Sequence, residues 1–331
     1  MKEGATVSFD LEFERPLAKI EEQIHKLERR GDRLSSEQRV ELDRLTQDLI
    51  EQTRQLYDHL TPWQRVLVAR HRQRPYTSDY IKLIFRDFFE LRGDRRFADD
   101  RAILGGMASL DGRTVMLIGH QKGRDMRERE ESNYGMPHPE GYRKALRLMR
   151  HAERIHMPVI TFIDTQGAYP GIDDEARGQS QAIAENLQVM SVLRSPILTV
   201  VIGEGGSGGA LAIGVCDRIL MQQNTYYTVA APEAASNILW RDTHHAADAA
   251  AAMKIGAPDL LERELIDGIV PEPLGGAHRN HQEAAEQLRT ALVTQLDELC
   301  ALPIDTLLDQ RYARWRAVGE FAGDLSPIGQ R

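Results

Sequence analysis

The chain is poor in cysteine and has no excess of positive charge. Its 331 residues include only two cysteines, Cys216 and Cys300, which excludes a disulfide framework and a cysteine-rich zinc site. Its formal net charge is -8, whereas a general nucleic-acid-binding protein carries a basic excess. The histidines show no metal-ligand spacing. We therefore expect a reduced, cytoplasmic setting, no metal in this chain and no nucleic-acid partner.

Long apolar runs are also missing. No segment approaches the roughly 20 apolar residues that a membrane-spanning helix needs. The first residues lack the apolar stretch of a secretion signal, and Asp10, Glu12 and Glu14 are not typical of an organellar transit peptide. These absences predict a soluble protein without a membrane contact.

Glycine, in contrast, is concentrated in one short segment. Five of the eight residues 203–210 are glycine, and they follow the apolar run 197–202. The pattern indicates a strand, a glycine-rich turn and a helix start, with backbone N–H groups left accessible. Such a turn binds an anion, or an oxygen that becomes anionic during a reaction.

Two nucleotide-binding interpretations of this segment fit poorly. A P-loop needs a lysine followed by serine or threonine, and no lysine is present. Gly203, Gly205 and Gly208 have the spacing of the dinucleotide fingerprint, but Thr228 lies where that motif needs an acidic residue.

Three further interpretations remain. Residues 205–209 have the Gly-x-Ser-x-Gly pattern of an α/β-hydrolase around Ser207, with Asp242 and His244 or His278 downstream. A purely structural turn would need fewer glycines. The number of glycines favours an oxyanion-stabilising loop.

A second segment has the same design. The apolar run 158–164 predicts a buried strand, and residues 165–171 are rich in turn formers. A helical stripe of Ile183, Leu187 and Met190 follows. Because loops at the same ends of parallel strands line one crevice, the two glycine loops can build one site.

Three regions are predicted along the chain. Residues 1–60 read as a helical hairpin whose second helix starts in a capping box formed by Ser35 and Gln38. Residues 61–277 form an α/β core, in which 102–108 and 114–119 read as a β-hairpin. Residues 278–331 form a helical extension. Its apolar stripe, for which we expect contacts with a partner chain, comprises Leu288, Leu292, Leu296 and Leu299.

Six segments of the chain carry a family resemblance when they are taken together. They are Arg74-Pro75-Tyr76-Thr77, Gly119-His120-Gln121-Lys122-Gly123-Arg124, Gly141-Tyr142-Arg143-Lys144-Ala145-Leu146-Arg147-Leu148-Met149, Gly167-Ala168-Tyr169-Pro170-Gly171, 203–210 and 271–279. In this order and spacing they resemble the carboxyltransferase alpha subunits of acetyl-CoA carboxylase. The resemblance extends from residue 11 to about residue 314.

The resemblance implies a crotonase-like fold, in which stacked β-β-α turns form a superhelix. It also implies an enzyme subunit that is active only with a zinc-ribbon beta subunit, in an alpha-two beta-two assembly. The implied reaction moves a carboxyl group from carboxybiotin, held on a biotin carboxyl carrier protein and loaded by a biotin carboxylase, to acetyl-CoA. The product is malonyl-CoA for fatty acid synthesis.

The resemblance assigns roles to particular residues. The backbone amides of Gly208 and Gly209 are implied to face the ureido oxygen of biotin as it gains charge. The biotin pocket is implied to be lined by Gly205, Gly206, Ser207, Gly167, Ala168 and Tyr169. Lys122 and Arg124 are candidates for phosphate or partner contacts.

The chain departs from the family pattern at two places. Gln166 replaces a proline, and Ala234 and Ala235 replace a glycine and a cysteine. If the glycine position requires a positive φ, alanine there costs roughly 1 kcal/mol. Two alternatives therefore stay open: a diverged paralogue that binds the beta subunit without catalysis, and a self-sufficient crotonase-like acyl-CoA enzyme.

Overall fold

Helices and strands alternate in the computed structural model, which describes residues 9–319. The first four helices are α1 (Arg15–Glu28), α2 (Ser36–Asp58), α3 (Pro62–Ala69) and α4 (Thr77–Ile84). The elements that follow are β1 (Arg86–Glu90), β2 (Ile103–Leu110), β3 (Arg113–His120), α5 (Met126–Glu131), α6 (Pro139–Arg154), β4 (Val159–Thr165), α7 (Ile172–Ala176), α8 (Gln179–Val192), β5 (Ile197–Gly206), α9 (Ser207–Leu211), β6 (Arg218–Gln222), β7 (Tyr226–Thr228), α10 (Pro232–Trp240), α11 (Ala246–Met253), α12 (Ala257–Glu262), β8 (Gly268–Val270), α13 (His281–Ala301) and α14 (Ile304–Arg316).

The predicted N-terminal helical pair is present as α1 and α2. The capping box is confirmed, because the N–H of Gln38 donates to Ser35 Oγ at 3.3 Å and the N–H of Ser35 donates to Gln38 Oε1 at 3.1 Å. The pair is tied to the rest of the chain by an ion pair of 2.8 Å between Glu21 and Arg279. The boundaries at 60/61 and 277/278 stay predictions, and residues 1–8 and 320–331 of the outer regions lie outside the described residues.

An eight-stranded sheet forms the centre, in the order β1-β2-β3-β4-β5-β6-β8 with β7 pairing to β5. The predicted hairpin is confirmed as the antiparallel pair β2 and β3. From β3 onward neighbouring strands are parallel. Parallel strands place their carboxyl ends along one edge of the sheet, and the loops of that edge lie together.

The two strands that carry the glycine loops are direct neighbours. All residues of β4 and β5 are buried, as their continuous apolar runs predict. Their register pairs Val159 with Ile197 at the start and Thr165 with Gly205 at the end. The two loops therefore leave the sheet side by side.

Helices cover both faces of the sheet. On one face α6 and α8 bury Leu148, Met149 and Met190 against the strands. On the other face α4 and α13 bury residues such as Tyr80. This arrangement is the layered α/β architecture predicted from the sequence. Within residues 9–319, the helices are all too short or too polar to cross a membrane.

The leucine stripe of α13 belongs to the core of this chain. Leu288, Leu292 and Leu296 are fully buried and Leu299 is 1% exposed, packed against the sheet. The expectation that this stripe contacts a partner was wrong. An amphipathic helix buries its apolar face against an available apolar surface. For α13 that surface is one face of the sheet of the same chain.

Helix α14 is held to the core by one buried arginine. Arg311 is 1% exposed and pairs with Asp217 at 2.7 Å. Its guanidinium also donates to the carbonyls of Met190, Leu193 and Ser195, at 2.7–2.8 Å. Every donor direction of the fork is used, so Arg311 fastens α14 to the segment between α8 and β5.

We expect Arg311→Leu to lower the free energy of unfolding by about 3–5 kcal/mol, because it leaves the buried carboxylate of Asp217 unpaired. Urea denaturation followed by circular dichroism measures the change. The control is Arg194→Leu, which removes an exposed pair with Asp305 and should cost less than about 1 kcal/mol. Equal losses in the two variants would contradict the assignment.

Candidate functional site

The glycine-rich segment starts as part of the sheet. Strand β5 continues through Gly206, because Glu204, Gly205 and Gly206 pair with the three residues of β7. Helix α9 then begins at Ser207. The predicted order of strand, glycine turn and helix is confirmed, with a strand longer than the apolar run indicated.

Ser207 occupies a strained backbone position. Its φ is 55°, in the left-handed region that non-glycine residues avoid. Such a conformation costs about 1 kcal/mol or more and persists only where surrounding contacts enforce it. The side chain of Ser207 is exposed. Ser207 is therefore exposed to solvent at the point where β5 ends and α9 begins.

Two glycines of this turn lie against the backbone of the second loop. A Cβ on Gly206 would overlap the carbonyl of Gln166, and a Cβ on Gly209 would overlap the backbone nitrogen of Ala168. Gly208 differs, because the nearest atoms to its Cβ position belong to Ile183 at 4.0 Å. The close approach of the two loops thus explains why positions 206 and 209 are glycine. It does not explain why position 208 is glycine.

Within residues 9–319, the N–H groups of Gly208 and Gly209 at the start of α9 have no acceptor outside the helix. The first N–H groups of any helix lack intrahelical acceptors. No side chain caps α9. Gly208 is half-buried and Gly209 is buried behind it. The turn thus combines unused backbone donors with limited access of water.

A largely buried ion triad connects the glycine segment to the neighbouring strands. Lys122 Nζ is 2.8 Å from Asp164 Oδ1 and 2.6 Å from Glu204 Oε1. Asp164 Oδ1 also accepts the backbone N–H of Glu204 at 3.1 Å. Asp164 and Glu204 lie near the ends of β4 and β5, and Lys122 lies two residues beyond the end of β3. The triad therefore fixes the three strand ends relative to one another.

The triad continues towards α10. Glu204 Oε2 accepts the Tyr226 hydroxyl at 2.5 Å and Arg70 Nε at 2.9 Å. Arg70 also pairs with Glu233 of α10 at 2.5 Å. Glu204, which lies between two glycines of the turn, thus accepts three side-chain donors.

Opposite charges in this network keep Glu204, Lys122 and Arg70 ionised. Burial alone would raise the pKa of Glu204, but Lys122 and Arg70 outweigh burial and lower that pKa to about 2. Burial disfavours the ammonium of Lys122, yet Asp164 and Glu204 raise its pKa above the ordinary value. Burial likewise opposes the charge of Arg70, and contacts that include Tyr226 and Glu204 raise its pKa.

A neutral histidine lies in the same layer. His120 is 1% exposed, and its Nδ1 accepts the backbone N–H of Asp164 at 3.4 Å. Burial lowers the pKa of His120 to about 3. His120 is therefore uncharged at neutral pH and adds a polar contact between the ends of β3 and β4.

Two cavities flank the glycine turn. An apolar cavity of about 330 Å³ is bordered by Ser207 and Gly208 on one side and by Tyr227, Val229 and Trp315 on the others. A more polar cavity of about 550 Å³ lies on the other side of the turn. Residues that line it include Arg70, Arg72, Lys122, Arg129, Gln166, Glu204, Glu233 and Ala234.

The structure brings most of the predicted site residues together. Gly205, Gly206, Ser207, Gly208 and Gly209 form the turn, and Gly167 and Ala168 lie against it. Tyr169 is at the edge of this group, where its ring contacts that of His138 with 5.1 Å between centroids. The roles of these residues stay predictions.

Lys122 and Arg124 have partners within the chain. Lys122 is the centre of the triad, with a side chain only 15% exposed. Arg124 pairs with Asp79 and lies over the ring of Tyr76, 3.8 Å from its centroid. Both cations thus already have partners within the chain. Their contacts with a phosphate or a partner protein stay a prediction.

The hydrolase interpretation lacks its histidine. His244 is paired with Asp242 at 2.5 Å, and His278 stacks on His71 with 3.9 Å between ring centroids. Neither histidine is hydrogen-bonded to Ser207. A serine nucleophile needs such a base within about 3 Å. Among the described residues, Ser207 therefore lacks the hydrogen-bonded histidine that such a triad needs.

The sequence interpretation missed the network of Arg70, Asp164, Glu204 and Tyr226. Two signals were available: Asp164 ends an apolar run that is otherwise buried, and Glu204 is the one charged residue of the glycine turn. Arg70 gave no signal, because it is 134 positions away from Glu204. Within residues 9–319, His, Cys, Asp and Glu side chains nowhere form a group of three arranged to hold a metal ion.

Comparison with known sequences gives one family. Residues 10–319 match the family described as acetyl co-enzyme A carboxylase carboxyltransferase-like. The acetyl-coenzyme A carboxylase carboxyl transferase subunit alpha of Thioalkalivibrio sulfidiphilus is 53% identical over 311 residues, which cover 94% of this chain and 98% of that protein. The protein of the same name from Vibrio cholerae is 54% identical over 308 residues, which cover 92% and 96% of the two chains.

Solved structures with a similar fold are also carboxyl-group enzymes. Transcarboxylase 12S has a TM-score of 0.55 at 16% identity, over 68% of this chain and 42% of that one. The beta subunit of geranyl-CoA carboxylase from P. aeruginosa has a TM-score of 0.54 at 18% identity, over 80% and 48% of the chains. A Pseudomonas malonate decarboxylase hetero-tetramer has a TM-score of 0.55 at 19% identity, over 67% and 91%. These likenesses confirm the predicted crotonase-like fold.

The lowered pKa of Glu204 makes stability depend on pH. An unfolded glutamate titrates near 4.3, so the unfolded chain takes up this proton before the folded chain does. The contribution of ionised Glu204 is complete above about pH 4.3 and is lost as the pH falls to about 2. We expect the stability difference between wild type and Glu204→Gln to shrink across this window.

Urea titrations at several pH values test this expectation. The control is Glu22→Gln, which changes an exposed pair with Lys26 and should show little difference at any pH. A difference for Glu204→Gln that stays constant between about pH 6 and pH 2.5 would exclude the assigned linkage.

The two central glycines should respond differently to alanine. Gly208→Ala should be neutral or stabilise by up to about 1 kcal/mol, because the added Cβ has space and the unfolded chain loses freedom. Gly209→Ala should destabilise by about 1–3 kcal/mol, because its Cβ meets the backbone of Ala168. Chemical denaturation of both variants measures this, and a reversed order would show that the loops pack differently.

Proposed function

Because the chain belongs to the acetyl-CoA carboxylase carboxyltransferase-like family, we propose that it is the alpha subunit of a biotin-dependent carboxyltransferase. With a beta subunit it moves the carboxyl group of carboxybiotin to acetyl-CoA and gives malonyl-CoA. Its relatives named as this subunit are 52–54% identical and align over nearly their whole length. The proposed setting is cytoplasmic.

The observation that carries the proposal is the fixed glycine turn. When carbon dioxide leaves carboxybiotin, the ureido oxygen gains negative charge. Backbone donors that are already in place stabilise such an oxygen without reorganisation. The amides of Gly208 and Gly209 are proposed to supply these donors. Glu204 and its ion triad hold the turn in position before any substrate arrives.

The apolar cavity beside Gly208 supports the same assignment. A bicyclic ring with an alkyl arm requires an apolar cleft and few polar groups. Tyr227, Val229 and Trp315 provide such a surface within contact distance of the turn. The proposed pocket therefore has Gly208 as its polar wall. Gly205 and Gly206 set the course of the turn, and Gly167, Ala168 and Tyr169 form the neighbouring wall.

The rival proposal, a paralogue that binds the beta subunit without catalysis, rested on the departures from the family pattern. Ala234 lies inside α10 and has no positive φ, so alanine adds no backbone strain there. Ala235 is buried in the same helix. Gln166 contributes its carbonyl to the contact with Gly206, which any residue can do. The departures therefore leave the turn compatible with catalysis.

A beta partner is proposed to cover α10. Ile238, Leu239 and Trp240 at the end of this helix are 74%, 64% and 44% exposed. Consecutive exposed apolar residues are typical of protein interfaces. The proposed assembly is alpha-two beta-two with a zinc-ribbon beta chain, and it is served by a biotin carboxyl carrier protein and a biotin carboxylase.

The direct test is reconstitution. The chain is co-purified with a carboxyltransferase beta subunit, and malonyl-CoA decarboxylation is measured with free biotin as the carboxyl acceptor. Activity should require both chains. Activity of the alpha chain alone would favour a self-sufficient enzyme, and an inactive but stable complex would favour the non-catalytic paralogue.

We expect Gly208→Val to lower turnover in this assay by about 10²-fold or more, because its branched side chain would crowd the space beside the turn in which the biotin ring is proposed to bind and would disturb an oxyanion donor. Ser207→Ala should remain close to wild type, whereas a serine hydrolase would lose its activity. Assembly with the beta subunit, checked by gel filtration, should be unchanged in both. An inactive Ser207→Ala beside an active Gly208→Val would end the oxyanion assignment.

A further inference from the structure

Helix α6 presents four arginines on one face. Arg143, Arg147, Arg150 and Arg154 are spaced by four, three and four residues, which brings their side chains into one stripe. Like charges at these spacings repel one another and destabilise a helix. A stripe of this kind needs compensating negative charge.

The stripe forms one wall of an open cavity of about 620 Å³. Arg95 and Arg96, from the segment after β1, stand on another side of it. Its apolar surface comes from Leu146 of α6 and from Val189 and Val192 of α8. The cavity thus combines a cationic rim with an apolar surface.

The carboxylates near the cavity neutralise only part of the charge. Arg143 pairs with Asp94 at 3.0 Å and with Glu140 at 2.6 Å. Arg150 pairs with Glu185 at 3.2 Å. The one other acidic residue of the lining, Glu153, accepts the backbone N–H of Arg194 at 2.8 Å.

Four guanidinium groups are left over. Within residues 9–319, no carboxylate lies within 4.0 Å of Arg95, Arg96, Arg147 or Arg154. Burial and the charge of Arg95 lower the pKa of Arg147, although the charges of Asp99 and Asp94 act in the opposite direction. The four guanidinium groups thus share one region in which no described carboxylate pairs with them directly.

Arg147 is held in place for such an anion. Its Nε donates to the carbonyl of Gly93 at 3.1 Å, and its Nη2 donates to the carbonyl of Leu91 at 2.7 Å. The side chain is therefore ordered without a ligand. Its Nη1 makes no hydrogen bond to the described residues, so one end of the guanidinium fork stays available.

We propose that this cavity binds a small anion carrying two or more phosphate groups. Several guanidinium groups around one space match the charge and the oxygen geometry of a pyrophosphate, and one carboxylate would neutralise too little. The apolar surface of Leu146, Val189 and Val192 accommodates a nucleoside attached to the phosphates. The phosphates come either from a free nucleotide or from the pyrophosphate of coenzyme A.

This site is distinct from the glycine turn. Ile183 of α8 approaches Gly208, and Val189 and Val192 lie about 9 and 14 Å farther along the same helix. The cavity shares no lining residue with the two cavities beside the turn. A ligand in the cavity would therefore not compete directly with a ligand at the glycine turn.

Isothermal titration of the full-length chain with pyrophosphate tests the proposal. We expect one binding site per chain, with an affinity that weakens as salt is added. The double variant Arg96→Gln/Arg154→Gln should weaken binding at least tenfold. The matched control is Arg29→Gln/Arg33→Gln, which removes the same charge from exposed residues near the end of α1 and should bind as wild type does.

Further titrations distinguish the two sources. ADP and coenzyme A are titrated into wild type and the double variant. Loss of coenzyme A affinity in the double variant assigns the site to coenzyme A, and loss of ADP affinity alone assigns it to a free nucleotide. The proposal is overturned if pyrophosphate does not bind wild type, or if the control variant loses as much affinity as the double variant.

Discussion

The ammonium group of Lys122 holds the ends of three strands together. Asp164 of β4 and Glu204 of β5 would repel each other without the cation that lies between them. Breaking such a buried group by removing one partner typically costs about 3–5 kcal/mol. Glu204 is itself part of the glycine turn, so the position of the turn follows from this electrostatic contact. The geometry of the candidate site thus depends on an ion cluster formed by residues of this chain.

The glycines and the ion triad contribute in different ways to the position of the turn. Gly206 and Gly209 allow the two loops to approach without side chains between them. The triad then fixes how the strand ends are placed. The positive φ of Ser207 is tolerated because both constraints act on the residues around it. Gly208, which neither constraint requires to be glycine, is the position left for a role towards a ligand.

Local patterns predicted local structure well. The capping box of Ser35, the hairpin of β2 and β3 and the two strand–loop units all follow from short-range rules. The triad and the anchor at Arg311 could not be predicted, because their partners are tens to more than a hundred positions apart and any charged residue satisfies the local pattern. The leucine stripe of α13, which includes Leu292, is another example. Its amphipathic pattern predicted correctly that the leucines are buried, but the pattern does not show which surface they pack against.

The anchor of α14 has a consequence for synthesis of the chain. Asp217 leaves the ribosome 94 positions before Arg311, the cation that neutralises it. Until Arg311 is synthesised, the Asp217 carboxylate can accept the backbone N–H of Ile197 but lacks the cation that pairs with it in the folded chain. Trp315, one turn beyond Arg311, also closes the apolar cavity next to Gly208. A growing chain thus contains the residues of the glycine turn before it contains Trp315. The apolar cavity beside the turn is complete only when α14, the last helix described, has been synthesised.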